Sequence, residues 1–165
     1  MNINRIAQHL MMTRWQVGRA FSRQTLNAIE QAIKTSEAAH AGEIRFAVEG
    51  ALDSAPLLNG QSARERAIEL FSLLRVWDTE SNNGVLIYLL LADRDVEIVA
   101  DRGIHAKVGT QEWEKICREM EAAFKQNNYQ GGLLGGIQAV TRHLSNHFPA
   151  VAANRNELPD TPVVL

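Results

Sequence analysis

The sequence predicts a three-layer α/β/α sandwich on a small mixed sheet, with extra helices at the N-terminal end. Three observations carry that expectation. Glu43–Glu49 alternates apolar and polar residues, as a strand does. Gly84–Ala92 is apolar on both faces, the pattern of a central strand covered from both sides. Around these strands lie segments with apolar residues at helical spacing, enough to cover both faces of a sheet.

The first 21 residues read as a helical arm, with Ile3, Ile6, Ala7, Leu10 and Met11 at helical spacing and Trp15, Val17 and Phe21 following in a turn. A second helix starts near Ser22, carries Leu26, Ile29 and Ile33 on one face and stops before Gly42. In the first strand Ile44, Phe46 and Val48 point one way and Arg45, Ala47 and Glu49 the other. Ala51–Gln61, with Pro56 and Gly60, reads as a loop. Ser62-Ala-Arg-Glu65 has the capping-box pattern, in which serine and glutamate satisfy otherwise unpaired amides. It opens a helix with Ala63, Ala67, Leu70, Phe71 and Leu74 on one face.

After the central strand, Ala92–Asp95 reads as a turn and Val96–Ala100 as a strand, which makes an antiparallel hairpin. With Asp93–Arg94 at the tip, Ala92 faces Asp95 and Val85 faces Arg102. Gly103–Gly109 reads as a loop, and Thr110 as the cap of a helix whose face is Trp113, Ile116, Cys117, Met120 and Phe124. Residues 127–132 break it. The last helix carries Leu133, Ile137, Val140 and Leu144 and ends before Pro149; Ala150–Leu165 reads as extended. The expected division is an arm over 1–21, an α/β domain over 22–149 and a tail over 150–165. The β-α-β unit should be a right-handed parallel crossover.

Composition narrows the function classes. Of 165 residues, 45% are hydrophobic and 22% charged, which excludes disordered and collagen-like chains. Cys117, the single cysteine, cannot form an internal disulfide and fits a reducing compartment. The longest apolar run, Val85–Ala92, falls far short of the roughly 20 residues a spanning helix needs. The first residues lack the continuous apolar core of a secretory signal. These observations point to a cytoplasmic protein. The net charge is −2, yet residues 1–23 hold four arginines (5, 14, 19 and 23) and no acid. The body is therefore acidic, which argues against nucleic acid as the main partner.

The hairpin register gathers candidate chemistry at one sheet edge: Glu43, Asp78, Glu80, Asn82, Asn83, Asp101 and Arg102. Carboxylate and amide oxygens are hard ligands suited to calcium or magnesium; carboxylates supply acid–base groups and Arg102 can meet an anion. The competing reading is structural, because Asp and Asn are ordinary turn residues and Asn83-Gly84 is a good turn pair. Asp78-x-Glu80-x-Asn82 echoes half of a calcium loop, but Asn83 stands where that loop has glycine and Leu89 where it has glutamate, so it is not an EF-hand.

A second cluster, Glu49, Asp53, Asp93 and Asp95, occupies the opposite edge, where open α/β sheets usually bind ligands; acidic turn residues explain it equally well. His143 and His147 share a helix face as a weak zinc candidate without the metalloprotease glutamate. Cys117 reads as core, and Gly131-Gly-Leu-Leu-Gly-Gly136 as close helix packing rather than a dinucleotide fingerprint. The basic arm reads as packing its apolar side on the domain, or else as lying on an anionic membrane surface.

The stretch from Val76 to Ile104, with Asn82-Asn-Gly-Val-Leu86, the Asp93-Arg94 turn and Asp101-Arg-Gly103, resembles the TPM domain. The resemblance runs from about Ser36 to Phe148 and includes Gly131–Gly132 ahead of the last helix. The arm and tail look like a short cytosolic bacterial branch, whereas many relatives carry a signal peptide and a transmembrane helix. The resemblance implies an α/β/α sandwich. It also implies divalent cation binding, calcium included, and the acid phosphatase activity linked to a plant thylakoid branch. Asn82, Asn83, Asp93, Arg94, Asp101 and Gly103 match the family's positions. The expectation is a divalent-cation-binding domain with phosphomonoester hydrolysis. Asp78, Asn82, Asn83 and Asp101 would hold calcium or magnesium, Arg102 would contact phosphate, and an activated water would attack. The alternative is a non-enzymatic module that meets a partner protein or membrane through residues 1–21 or the tail.

Overall fold

Side-chain caps set the boundaries of most helices in the computed structural model of the chain, which describes residues 2–152 and 154–165. Asn2 opens α1 (Ile3–Met11) by accepting from the Asn4 and Arg5 amides. Helix α2 (Arg14–Ala20) has a full capping box between Thr13 and Gln16. The segment expected as a turn is therefore helical; seven residues are too few for apolar periodicity to reveal, but the Thr-x-x-Gln cap was readable. Ser22 caps α3 (Arg23–Glu37) and Ser62 boxes α5 (Ala63–Leu73), both as expected. Between β1 (Glu43–Glu49) and α5 the expected loop contains a one-turn helix, α4 (Ser54–Leu58).

The hairpin consists of β2 (Gly84–Leu90) and β3 (Asp95–Ala100). Leu90 pairs with Asp95 and Val85 with Ala100, so the turn is Leu91–Arg94 and the register sits two positions from the expected one. An even displacement leaves each side chain on its expected face. The expected loop after β3 is instead α6 (Arg102–Val108), capped by Asp101. Gly109, with φ 85, rather than Thr110, holds the cap position of α7 (Thr110–Lys125). Asn128 caps α8 (Tyr129–His147).

Among the described residues the sheet order is β3-β2-β1-β4. The β1–β2 pair is parallel, as the crossover requires. The tail, expected only as extended, contributes β4 (Val163–Val164), which pairs in parallel with β1 through Ala47–Val163 and Val48–Val164. Apolar tail residues on their own carry no information about which edge they will join.

Both faces of β2 are buried. Val85, Ile87 and Leu89 join Ile44, Phe46 and Val48 against α3, α7 and α8. Leu86, Tyr88 and Leu90 join Ala47 against Leu57 of α4 and Ala63, Ala67 and Leu70 of α5. Cys117 belongs to the first core, and burial pushes its thiol up to about 12, where it is inert. Gly132 and Gly136 let α8 approach α7 closely: a Cβ at Gly136 would fall 2.3 Å from the Met120 sulfur.

The arm packs apolar residues on the domain as expected through Val17 and Phe21 of its second half, with Ile6, Met12 and Ala20 against the cores, but α1 turns Ile3, Leu10 and Met11 outward. The polar side of α1 faces the body: Arg5 Nε donates to Asp93 at 2.9 Å, His9 Nε2 lies 3.0 Å from the same carboxylate, and the Leu52 amide donates to His9 Nδ1. Three directional contacts fix the roll of the helix more firmly than the non-directional burial of its apolar side would.

Candidate functional site

The start of β1, the start of β2 and the end of β3 share one edge of the sheet. Glu43 is paired with Gly84, and the Asp101 amide donates to the Gly84 carbonyl at 2.8 Å. Asn83 precedes Gly84, so Asn83 and Asp101 sit at adjacent positions of the paired strand ends. The loop holding Asn82 and Asn83 is clamped on both sides. The Ile104 amide of α6 donates to the Asn82 carbonyl, and the Asn83 amide donates to Thr79 Oγ1. Asn82 takes a left-handed backbone with φ 51, which asparagine tolerates better than most residues.

Glycine is required where these segments touch. A Cβ at Gly103 would fall 2.5 Å from the Asn82 carbonyl oxygen and 2.8 Å from that of Ser81. At Gly84 it would fall 2.1 Å from the Val76 carbonyl oxygen. The Asn-Asn-Gly and Asp-Arg-Gly runs are thus one packed unit.

Two oxygens of this unit have no donor among the described residues. Asn83 is fully buried; its Nδ2 donates to the Ala41 carbonyl at 3.1 Å, but its Oδ1 has no partner among the described residues. Asp101 caps α6 through Oδ1, which accepts the Arg102 amide at 2.7 Å, while its buried Oδ2 has no partner among the described residues. A buried oxygen without a donor is costly and points to water or a cation as its partner. Arg102 is exposed, and its guanidinium pairs with no carboxylate among the described residues.

The other expected members are engaged elsewhere. Asp78 is paired with Arg75 at 2.7 Å. The Glu80 amide donates to Glu157 of the tail. Glu43 accepts from the amides of Glu157 and Leu158, so it anchors the tail. Beside it lies a group that sequence reading missed. Glu37 shares a hydrogen bond with Asp160, and burial with the charges of Glu43 and Asp160 pushes its carboxyl up to about 9. Burial pushes Glu43 up to about 7, against the two amides that favour its charge. Arg45 donates to the Pro159 and Thr161 carbonyls in the same place. This acidic knot was invisible in the sequence because Asp160 lies in the tail, whose docking no pattern announces.

The second cluster does not converge. Glu49 accepts from Arg66 Nε and Nη2 and from the Tyr88 hydroxyl. Asp93 holds the arm. Asp53 is exposed ahead of α4 and makes no capping bond. Burial, then the charges of Glu97, Glu121 and Asp93, push Asp95 up to about 6. His143 lies 3.4 Å from Glu112 and edge-on to Trp113, while His147 is exposed. Among the described residues no three His, Cys, Asp or Glu side chains are grouped to hold a metal, and no helix is long and apolar enough to cross a membrane.

Asp101 Oδ2 and Asn83 Oδ1 are the side-chain oxygens of this edge left open, among the described residues, to water or a hard cation. That sparse donor set fits magnesium-like binding, which keeps waters and recruits substrate phosphate, better than a full calcium cage.

Comparison with known proteins agrees with this architecture. No curated protein matches the chain. It is similar to the solution structure of the BA42 protein from the psychrophilic bacterium Bizionia argentinensis, with 30% identity and a TM-score of 0.77 over 87% of this chain and 94% of that one. The N-terminal domain of a protein from P. gingivalis shares the fold at 21% identity and a TM-score of 0.61, over 77% and 78% of the two chains. The model of the TPM domain matches residues 16–143, which span α2 through most of α8 and include the whole Asn83–Asp101 edge, and the chain belongs to the TPM domain family.

Proposed function

We propose that this TPM domain binds a divalent cation at the Asn83–Asp101 edge and uses it on phosphomonoesters. The observation that carries the reading is the pair of donorless buried oxygens, Asn83 Oδ1 and Asp101 Oδ2, on adjacent strand ends. A bound cation at such a place supplies Lewis-acid polarisation of a phosphoryl oxygen. Asp101 presents one oxygen to the site while its other oxygen stays on the α6 amide, so its orientation is set before ligand arrives. Arg102, adjacent and unpaired, meets the phosphate oxygens. Asn82 orients the loop through its carbonyl rather than as the main ligand, and Asp78 serves as a surface ion pair.

The experiment is hydrolysis of an aryl phosphate with magnesium or calcium, by wild type, Asp101→Asn and Arg102→Ala. The reading expects cation-dependent turnover that falls at least tenfold in both variants. Turnover unchanged in Asp101→Asn would remove that residue and the proposed edge.

A further inference from the structure

Helix α1 is amphipathic, but of its larger apolar residues only Ile6 packs on the core. Amphipathic helices normally turn their apolar stripe to the core. Here Arg5 and His9 face inward onto Asp93, and Ile3, Leu10 and Met11 are each 73% exposed. Trp15 of α2, 69% exposed, extends the same apolar surface, with the Arg19 guanidinium 5.3 Å over its ring. Met11, Trp15 and Arg19 also line a groove of about 1000 Å³ that reaches Arg94 on the hairpin turn.

From this surface we propose that the arm docks on an anionic lipid bilayer, with Ile3, Leu10, Met11 and Trp15 entering the headgroup boundary and Arg14, Arg19 and Arg23 meeting lipid phosphates. The charge pattern selects this occupant. Residues 2–29 contain no acid, and Arg14, Arg19 and Arg23 are all exposed. A second copy on the same face would bring these arginines against their own duplicates. An anionic bilayer takes both features at once: it receives the apolar side chains and its surface potential attracts the flanking cations. Stable surface anchoring takes two such signals together, and tryptophan favours that boundary. The contacts to Asp93 hold the apolar face outward before any lipid is met, so no refolding precedes docking.

The test is co-sedimentation of the full chain with vesicles of phosphatidylglycerol and phosphatidylcholine, against pure phosphatidylcholine, in chelator. Chelation keeps the outcome independent of the cation site. The expected result is at least tenfold stronger partitioning to the anionic vesicles, reduced by salt and lost in Leu10→Glu/Met11→Glu. Both positions are exposed, and an unchanged circular dichroism spectrum confirms the fold of the variant. Absence of vesicle binding, or binding unchanged in the variant, overturns the proposal. So does a dimer in sedimentation equilibrium that the variant abolishes, since a second copy would then be the occupant.

Discussion

Arg66 grips Glu49 with two hydrogen bonds, from Nε at 2.9 Å and Nη2 at 3.0 Å, while the Tyr88 hydroxyl donates to the same carboxylate at 2.7 Å. Glu49 ends β1 at the edge where open α/β sheets usually carry ligands, yet its acceptors are filled from within the fold. Arg66→Met strands a buried carboxylate. The loss should be about 2–3 kcal/mol, below the cost for a fully enclosed pair because Arg66 is partly exposed. Tyr88→Phe should cost about 1 kcal/mol. Urea denaturation measures both; an Arg66→Met midpoint equal to wild type would show that Glu49 is not held this way.

Asp93 is the fastening of the arm. Asp93→Ala should release α1, so amides of residues 5–11 exchange faster with solvent while those of β1 and β2 keep their protection. Equal protection of the α1 amides in the variant would mean that the arm is held by other contacts.

The acidic knot under the tail makes stability fall with rising pH. Glu37 and Glu43 have folded values of about 9 and about 7, both above the ordinary glutamate value of 4.5. Between those limits the folded state holds protons that the unfolded chain has released. Raising the pH through that window therefore favours unfolding. The thermal midpoint should be higher at pH 5.5 than at pH 8.5, and Glu37→Gln should flatten the difference while raising the midpoint at the alkaline end. A midpoint that rises toward pH 8.5 in wild type would contradict the assignment.

Gly103 sets the spacing of the candidate site. Gly103→Ala places a methyl against two carbonyl oxygens of the main chain, which cannot yield as a flexible side chain would. A cost of about 1–3 kcal/mol is expected, together with weaker cation binding as residues 81–83 move away from α6. Wild-type stability would show that the loop adjusts freely.

The layers of the fold were legible because they rest on repeated signals. Ile44, Phe46 and Val48 alternate, Val85–Leu90 is apolar on both faces, and the capping box at Ser62 names a helix start. What escaped were single-turn events and distant docking. Helices α4 and α6 are too short for periodicity, and β4 is two residues long. The same division holds at the candidate site. Asn83 and Asp101 were expected at one sheet edge from the hairpin, and a two-residue register error did not move them off it. Glu43 lies at the expected edge, but its partners, the Glu157 and Leu158 amides, are set by the course of the tail, and Arg75, the partner of Asp78, by a tight turn after α5. The arm packs Val17 and Phe21 as its apolar side suggested, but Ile3, Leu10 and Met11 of α1 face out, since apolar spacing identifies a stripe but not which side packs.

The most direct test of the central claim is titration of the protein with magnesium and with calcium while amide shifts are recorded. The account predicts saturable shifts at residues 81–84 and 101–105 at millimolar cation, abolished in Asp101→Asn. Shifts confined to Asp95, Glu97 and Glu121, or no shifts at all, would contradict it.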